Sequence, residues 1–140
     1  MGPRRVLFVC VENAGRSLMA EAIFNADPPT GWVAESAGTE PAARPNPRTG
    51  PMLQEIGIPL PTHPPRRLTP ETYRAASECI TMGCLDRASC PAYLAVGQVR
   101  DWALPDPAGL GEDGFRRIRD EIVERIRALR AELTGSPPIP

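Results

Sequence analysis

Cys10 and Arg16 lie six positions apart in a short segment that could hold and attack a small oxyanion. A thiolate is a strong nucleophile, and the planar fork of an arginine side chain binds a tetrahedral oxyanion at two points. Asn13 and Gly15, between them, are residue types that accept a positive φ, which a tight anion-binding loop usually demands. We therefore predict that the oxyanion is bound by the segment after the nucleophile, namely Val11, Glu12, Asn13, Ala14, Gly15, Arg16 and Ser17.

The elements around this loop favour the thiolate form of Cys10. Residues 6–9 form a continuous apolar run, which is typical of a parallel strand buried on both faces, and a helical pattern begins near Ser17. A loop between the carboxyl end of a strand and the start of a helix presents backbone N–H groups and the positive end of the helix dipole to an anion. Cys10 needs no histidine base in such a place. Ser17 can cap the helix or hydrogen-bond the thiolate.

The remaining chain alternates strands and helices, which predicts a single three-layer α/β domain with an open four-stranded parallel sheet and helices on both faces. Further strands are expected at 32–38, 79–82 and 98–102. Helices are expected at about 47–56 (closed by Gly57), from Thr69 and Pro70 onward, and along the apolar stripe between Phe115 and Leu133. We expect the catalytic domain to span 1–134 and a flexible tail to span 135–140.

Composition excludes several classes of function. All 16 positive side chains are arginines and they nearly cancel 17 acidic ones, so no net field favours nucleic acid or a membrane surface. The first apolar run is too short for a signal peptide or a membrane span, which predicts a cytoplasmic protein. Four cysteines in a cytoplasmic chain are expected to be reactive, metal-binding or buried rather than permanently paired. The single histidine, His63, excludes any mechanism or metal site that needs two.

The chain resembles the low-molecular-weight protein tyrosine phosphatase fold, which thiol-dependent arsenate reductases share. Three motifs carry the resemblance: the Cys10 loop, Glu-Ser-Ala-Gly-Thr at 35–39, and Asp-Trp-Ala-Leu-Pro-Asp-Pro at 101–107. The resemblance implies an arsenate reductase in which Cys10 forms a thiol–arsenate adduct, with phosphate or sulfate as substrate mimics. It also implies that Asp106 is the general acid that protonates the departing oxygen.

The resemblance further implies a relay through two more cysteines. Cys84 is the resolving thiol that attacks the adduct sulfur and releases arsenite, and Cys90 then completes an exposed disulfide for an external reductant. That reductant is thioredoxin in one group of relatives and mycothiol or glutaredoxin in others. Relatives that use mycothiol or another low-molecular-weight thiol need fewer protein cysteines, and in an enzyme of that kind Cys90 is a spectator. No bound cofactor and no metal is expected. Cys79, inside a predicted strand, is interpreted as a buried core thiol.

Two other functions are compatible with these residues. A phosphatase of this fold would hydrolyse phosphomonoesters through a Cys10 phosphocysteine, with Arg16, Ser17 and Asp106 in the same roles and no use of the later cysteines. Such phosphatases normally carry an aromatic residue directly after the Asp-Pro pair, whereas this chain has Ala108, which favours a small inorganic substrate. A binding protein could instead hold zinc through three cysteines and the histidine, namely Cys79, Cys84, Cys90 and His63.

Overall fold

The computed structural model describes residues 2–83 and 90–135. Its centre is a parallel sheet whose middle strand, β1 (Arg4–Cys10), pairs with β2 (Trp32–Gly38) on one side and with β3 (Glu78–Thr81) on the other. A short edge strand, β4 (Arg100–Asp101), pairs parallel with β3, which gives the order β2-β1-β3-β4. The predicted four-stranded parallel sheet is confirmed.

Helices cover both faces of the sheet and complete the predicted three layers. They are α1 (Arg16–Ala26), α2 (Thr49–Gln54), α3 (Pro70–Ala75), α4 (Ala92–Val96) and α5 (Gly111–Thr134), with a 3₁₀ helix at Pro107–Gly109. Side chains of α1, α2 and α5 share one apolar cluster, and side chains of α3 and α4 pack into a second cluster on the opposite face. No helix in residues 2–83 and 90–135 combines the length and the apolar character that crossing a membrane requires.

Strand β1 feeds both apolar clusters because successive side chains of a strand point to opposite faces. Val6, Phe8 and Cys10 belong to the cluster under α1 and α5, whereas Leu7 and Val9 belong to the other. Each fully buried aliphatic side chain of this kind contributes about 1.5–3 kcal/mol. The strand is therefore fixed from both sides, and its last residue, Cys10, is delivered to the carboxyl edge of the sheet in a defined position.

Several element boundaries differ from the sequence-based expectation. Helix α2 ends at Gln54 with Glu55 as its C-cap, so it is shorter than the predicted 47–56. Gly57, with φ of 74°, lies in the turn that follows and does not close the helix as expected. Thr69 caps α3 by accepting a hydrogen bond from the backbone N–H of Thr72 at 3.1 Å, which confirms that helix start. Helix α4 and the 3₁₀ helix were not predicted, because three to five residues are too few to show a period. Residues 136–140 of the expected tail lie outside the described residues.

Glu55 ties the end of α2 to the long helix α5, and it predicts a loss of stability in acid. Its carboxylate accepts hydrogen bonds from Arg116 at 2.8 and 2.9 Å and from Arg119 at 2.6 Å. Hydrogen bonding from Arg116 first, then from Arg119, lowers the pKa of Glu55 from 4.5 to about 2. A carboxyl whose pKa is lower in the folded state stabilises that state above its unfolded pKa, and this contribution is lost as the pH falls through the folded value.

Glu55→Gln should therefore flatten the fall in stability between pH 4.5 and about 2. Urea unfolding measured at several pH values from 7 to 2 checks this expectation. Glu124→Gln is the matched control, since Glu124 makes one ion pair with Arg127 on the exposed side of α5. Equal pH dependence in the Glu55 and Glu124 variants would contradict the prediction.

Candidate active site

The loop after β1 is held from outside by its backbone carbonyls. The carbonyls of Cys10, Val11 and Glu12 accept hydrogen bonds from the backbone N–H groups of Thr39, Glu40 and Ala42 at 3.1, 2.8 and 2.9 Å. The Ala14 carbonyl accepts two, from the Asn46 N–H at 3.0 Å and from Thr49 Oγ1 at 2.6 Å. Because N–H and C=O point in opposite directions across a peptide plane, these bonds turn the loop N–H groups inward. Inward-facing N–H groups are the geometry that the predicted anion site requires.

Gly38, the last residue of β2, permits this close contact between the Cys10 loop and the segment that follows β2. A Cβ atom at this position would lie 2.5 Å from the Val11 carbonyl oxygen and 2.9 Å from the Asn13 nitrogen. Both atoms are backbone, so neither can move aside without displacing the anion loop. The glycine is required here by space rather than by its φ.

Gly38→Ala should lower the free energy of unfolding by about 1–3 kcal/mol, because it overpacks a backbone contact, and it should weaken oxyanion binding. Calorimetric titration with phosphate measures the oxyanion binding, and thermal unfolding measures the stability. The control is Gly50→Ala in α2, where the nearest atom to the added methyl group is Leu60 Cδ2 at 3.9 Å. Wild-type phosphate affinity in Gly38→Ala would show that the loop does not depend on this contact.

Three hydrogen bonds link the Cys10 sulfur, Asn13 and Ser17. Cys10 Sγ lies 2.9 Å from Ser17 Oγ, and the backbone N–H of Asn13 donates to the same sulfur at 3.2 Å. Asn13 Nδ2 donates to Ser17 Oγ at 2.7 Å, which leaves the Ser17 hydroxyl proton to point at sulfur. Two donors therefore converge on Cys10, and donors stabilise a thiolate. Of the two roles expected for Ser17, the structure shows the bond to Cys10; the helix cap at Gly15 has no side-chain bond.

The tight turn of the loop is made by Asn13 and not by Gly15. Of the two residue types that accept a positive φ, Asn13 adopts one, at 52°, whereas Gly15 has φ of −134°. Gly15 already belongs to the helix start, where its carbonyl accepts the N–H of Met19 at 2.9 Å. A single left-handed residue is enough to reverse the chain between the strand and the helix.

Arg16 is buried and anchored before any substrate arrives. Its Nη1 donates to two backbone carbonyl oxygens. One belongs to Met82, directly after β3, and the other, at 2.8 Å, belongs to Leu104 in the loop after β4. Within residues 2–83 and 90–135 these bonds use one nitrogen, so Nη2 and Nε are the donors that can serve an oxyanion. A guanidinium that is fixed in advance loses little entropy when it binds.

Arg16→Lys should lower kcat/KM by on the order of 10³-fold, because an ammonium group cannot hold two backbone carbonyls and also present a fork of donors to the oxyanion. Steady-state kinetics with arsenate and with p-nitrophenyl phosphate measure the loss. Arg125→Lys, on the exposed surface of α5, is the control. A loss of less than tenfold would show that a point charge is sufficient.

Asp106 lies at the mouth of the same site. The residue is exposed, and its Oδ1 accepts the backbone N–H of Ala108 at 3.0 Å, which caps the 3₁₀ helix and leaves Oδ2 able to carry a proton. The cavity has a volume of about 30 Å³ and is open to solvent. Its described lining residues are Cys10, Glu12, Ala14, Gly15, Arg16, Asn46, Asp106, Pro107, Ala108 and Phe115.

Few kinds of side chain line the cavity mouth. Ala108 lines it at the position after the Asp-Pro pair, and Phe115 is the one aromatic residue among its described lining residues, fully buried. Glu12 is exposed and stands at the cavity mouth. Asn46 and Phe115 were not predicted as lining residues. Phe115 was assigned to the core stripe of α5, and Asn46 follows no local pattern.

Two of the other three cysteines lie within the described residues, and their surroundings differ. Cys79 is buried in the cluster beneath α3 and α4, and burial raises the pKa of its thiol from 9.0 to about 12, which confirms the interpretation as a core thiol. Cys90 is half-buried, and its Sγ contacts the Pro91 carbonyl oxygen at 3.8 Å. The predicted resolving residue, Cys84, lies outside the described residues.

A buried carboxylate behind the loop was missed by the sequence interpretation. Glu21 of α1 accepts hydrogen bonds from Ser36 Oγ at 2.7 Å and from Arg66 Nη2 at 3.3 Å, and His63 Nε2 lies 2.7 Å from its Oε2. The backbone N–H of Arg66 donates to Asn13 Oδ1 at 2.9 Å, so this cluster supports the anion loop from behind. Only the place of Glu21 on the buried face of α1 could have indicated the contact.

The arrangement of His63 bears on the zinc alternative. The imidazole is engaged by Glu21 on α1, whereas Cys79 lies in the cluster beneath α3 and α4. Within residues 2–83 and 90–135, no group of three or more histidine, cysteine or acidic side chains is placed to hold a metal ion.

Known proteins resemble this chain along most of its length. A putative arsenate reductase from Halobacterium salinarum is 32% identical over 124 residues, which cover 85% of each chain. The structure of a thioredoxin-dependent arsenate reductase from Corynebacterium glutamicum superposes with a TM-score of 0.78 at 36% identity, covering 96% of this chain and 63% of that one. An arginine phosphatase from Geobacillus stearothermophilus superposes with a TM-score of 0.76 at 26% identity, covering 95% and 94%.

The family relationship follows from the match to a whole-family model. Residues 5–136 match the model described as low molecular weight phosphotyrosine protein phosphatase. That range contains the whole sheet except Arg4, together with the Cys10 loop and the Asp106 loop. The chain therefore belongs to the low molecular weight phosphotyrosine protein phosphatase family.

Proposed function

We propose that this protein is a thiol-dependent arsenate reductase, which reduces arsenate to arsenite. The observation that carries the proposal is the geometry of the site. The Cys10 sulfur accepts two hydrogen bonds, and the Arg16 guanidinium is already anchored by the protein. Both line one cavity, with Ala108 at its rim in the Asp-Pro loop. Such a site fits a small tetrahedral oxyanion and offers little surface to an aromatic ring. The similarity to the arsenate reductases of Halobacterium and Corynebacterium supports the same substrate.

In the first step, the Cys10 thiolate attacks arsenic and displaces one oxygen. The loop N–H groups and Arg16 bind the oxygens that remain and stabilise the negative charge that develops on them. Asp106 gives its proton to the departing oxygen, which leaves as water. The product is a Cys10 thiol–arsenate adduct in which arsenic is still pentavalent.

In the second step, the Cys84 thiolate attacks the Cys10 sulfur. The sulfur–arsenic bond breaks and its electron pair goes to arsenic, so arsenic(V) becomes arsenic(III) and arsenite leaves, while two thiols become the Cys10–Cys84 disulfide. Cys90 then attacks Cys84, which releases Cys10 as a thiolate and forms the Cys84–Cys90 disulfide. A dithiol such as thioredoxin reduces this disulfide and closes the cycle.

The partners follow from this chemistry. The substrate is a small oxyanion, with phosphate and sulfate as non-reducible mimics, and the second partner is a thiol reductant. The Corynebacterium relative is thioredoxin-dependent, which favours a thioredoxin-like protein over mycothiol or glutaredoxin. The cycle needs thiols that are kept reduced, and the cytoplasm maintains them in that state, so we place the reaction there.

Arsenate-dependent NADPH oxidation by the wild-type protein tests the proposal. Thioredoxin with its reductase, mycothiol with its reductase system, and glutaredoxin with glutathione are supplied in separate assays, and p-nitrophenyl phosphate hydrolysis is measured in parallel. We expect arsenate turnover with thioredoxin and slow hydrolysis of the aryl phosphate. Turnover only with a low-molecular-weight thiol would remove Cys90 from the cycle.

Efficient hydrolysis of phosphomonoesters without any arsenate reduction would instead make the protein a phosphatase. The superposition with the Geobacillus arginine phosphatase makes that outcome chemically coherent, because a Cys10 phosphocysteine would use the same loop. Trapping the intermediate distinguishes the two chemistries. A disulfide that appears only after arsenate is added supports reduction, and a phosphorylated Cys10 supports hydrolysis.

A further inference from the structure

Asp101, at the end of β4, gathers three hydrogen-bond donors on one carboxylate oxygen. Its Oδ1 accepts from Thr81 Oγ1 at 3.0 Å, from the backbone N–H of Gly83 at 3.0 Å and from the backbone N–H of Ala103 at 3.2 Å. These donors come from two separate stretches, the end of β3 and the loop after β4. The carboxylate therefore joins the two stretches at their N–H groups.

Arg16 joins the same two stretches from the opposite side. Its guanidinium donates to the carbonyl oxygens of Met82 and Leu104, each directly adjacent in the chain to a residue that Asp101 holds. The acidic group thus takes the N–H groups of 83 and 103, and the basic group takes the C=O groups of 82 and 104. Both sets of bonds are charge-assisted, which makes them stronger than bonds between neutral groups.

The two joined stretches have backbone conformations that need such support. Ala103 has φ of 49°, in the left-handed region that alanine rarely adopts. Gly83 has φ of 96°, and a Cβ there would lie 2.9 Å from the Leu104 carbonyl oxygen and 3.1 Å from Arg16 Nη1. The stretches are therefore in close contact, and neither conformation is the default one for the chain.

We propose that Asp101 is a positioning residue, which sets the place of the Arg16 guanidinium and of the Asp106 loop by fixing these two stretches. Asp101 is not among the described residues that line the cavity, so it acts through its neighbours. Ala103 leads in three residues to Asp106, and Gly83 directly precedes Cys84 in the sequence. Insofar as it concerns the approach of Cys84 to the adduct, the inference rests on the proposed function.

Two variants of Asp101 separate positioning from general stability. Asp101→Ala removes the acceptor, whereas Asp101→Asn keeps an oxygen in the same place, although its hydrogen bonds are weaker. Arg100→Gln is the matched control in the same strand. The Arg100 side chain forms ion pairs with Glu78 and Glu132, and it is not one of the groups that Asp101 or Arg16 binds. All variants are compared at a temperature where thermal unfolding shows them to be folded.

Three measurements are made on each variant: the inhibition constant of phosphate, the arsenate turnover, and the ratio of kcat values for p-nitrophenyl phosphate and phenyl phosphate. For Asp101→Ala we expect phosphate inhibition to weaken about tenfold, because Arg16 is less well fixed. We expect arsenate turnover to fall by on the order of 10²-fold through misplacement of the reacting groups. The poorer leaving group, phenol, should suffer more than nitrophenol, because it depends more on the proton from Asp106.

Recovery to within about threefold of wild type in Asp101→Asn is the expected rescue, since the acceptor geometry is kept. The proposal is overturned if folded Asp101→Ala behaves like Arg100→Gln in all three measurements, or if Asp101→Asn loses as much as Asp101→Ala. Absence of arsenate turnover in the wild type would count against the proposed function alone. The phosphate inhibition and the leaving-group ratio would still decide the role of Asp101.

Discussion

Cys10→Ser should abolish arsenate reduction, with a loss on the order of 10⁴-fold or more, because no other described residue that lines the cavity carries a thiol to form the adduct. A serine hydroxyl has the right place but stays protonated at neutral pH, and the site contains no histidine base to activate it. The neighbours of the sulfur are donors, the Asn13 N–H and the Ser17 hydroxyl, and neither can remove a proton from serine. The loss should therefore lie in chemistry and leave binding intact.

Phosphate affinity provides the control for this variant. Cys10→Ser keeps the loop N–H groups and Arg16, so calorimetry should show phosphate binding within a few fold of the wild type. Arsenate turnover in the thioredoxin-coupled assay should be at background. Substantial turnover would mean that another thiol forms the adduct, and Cys79 is excluded in practice because its buried thiol has a pKa of about 12.

Cys84→Ser should eliminate repeated arsenate turnover while leaving the first step in place. The resolving thiol acts after the adduct has formed, so its loss stops electron transfer to arsenic without disturbing Cys10, Arg16 or Asp106. Hydrolysis of p-nitrophenyl phosphate, which needs only the first set of residues, should remain near the wild-type rate. This split between two substrates is the signature that distinguishes a relay cysteine from a structural one.

Mass spectrometry after rapid quenching measures the relay directly. In the wild type, peptides containing Cys10 and Cys84 should be linked by a disulfide when arsenate is added without reductant, and further exchange should give Cys84 linked to Cys90. Cys79→Ala serves as the control, because this core thiol has no part in the cycle. Wild-type turnover in Cys84→Ser would refute the relay. Loss of thioredoxin-coupled turnover in Cys90→Ser would place that residue within it.

The predictable part of this protein is the part written in short, contiguous stretches. The apolar run that became β1, the change of period near Ser17 and the long stripe of α5 each contain enough residues to show their period. The anion loop was predictable for the same reason, since Cys10, Asn13 and Arg16 are neighbours in the chain. The residue types did not decide which of Asn13 and Gly15 would take the positive φ, because both permit that conformation without requiring it.

The parts that sequence did not reveal depend on residues far apart in the chain. Glu21 meets His63 across 42 positions, and Arg16 meets Leu104 across 88, so no local spacing contains either contact. Asn46 reaches the cavity because its backbone supports the Ala14 carbonyl. Each of these contacts becomes visible only when the sheet order is known, because the order decides which loops share the carboxyl edge.

The support of the anion loop by the segment after β2 links ligand binding to folding. The loop N–H groups face inward only once Gly38 has docked beside Cys10, the last pair in the register of β1 and β2. An unfolded chain presents no such array, so an oxyanion that binds the loop as we propose should bind the native state almost exclusively and stabilise it by mass action. Above the dissociation constant, each tenfold rise in free phosphate adds about 1.4 kcal/mol to the unfolding free energy. The melting temperature of this enzyme is thus a property of the buffer as well as of the chain.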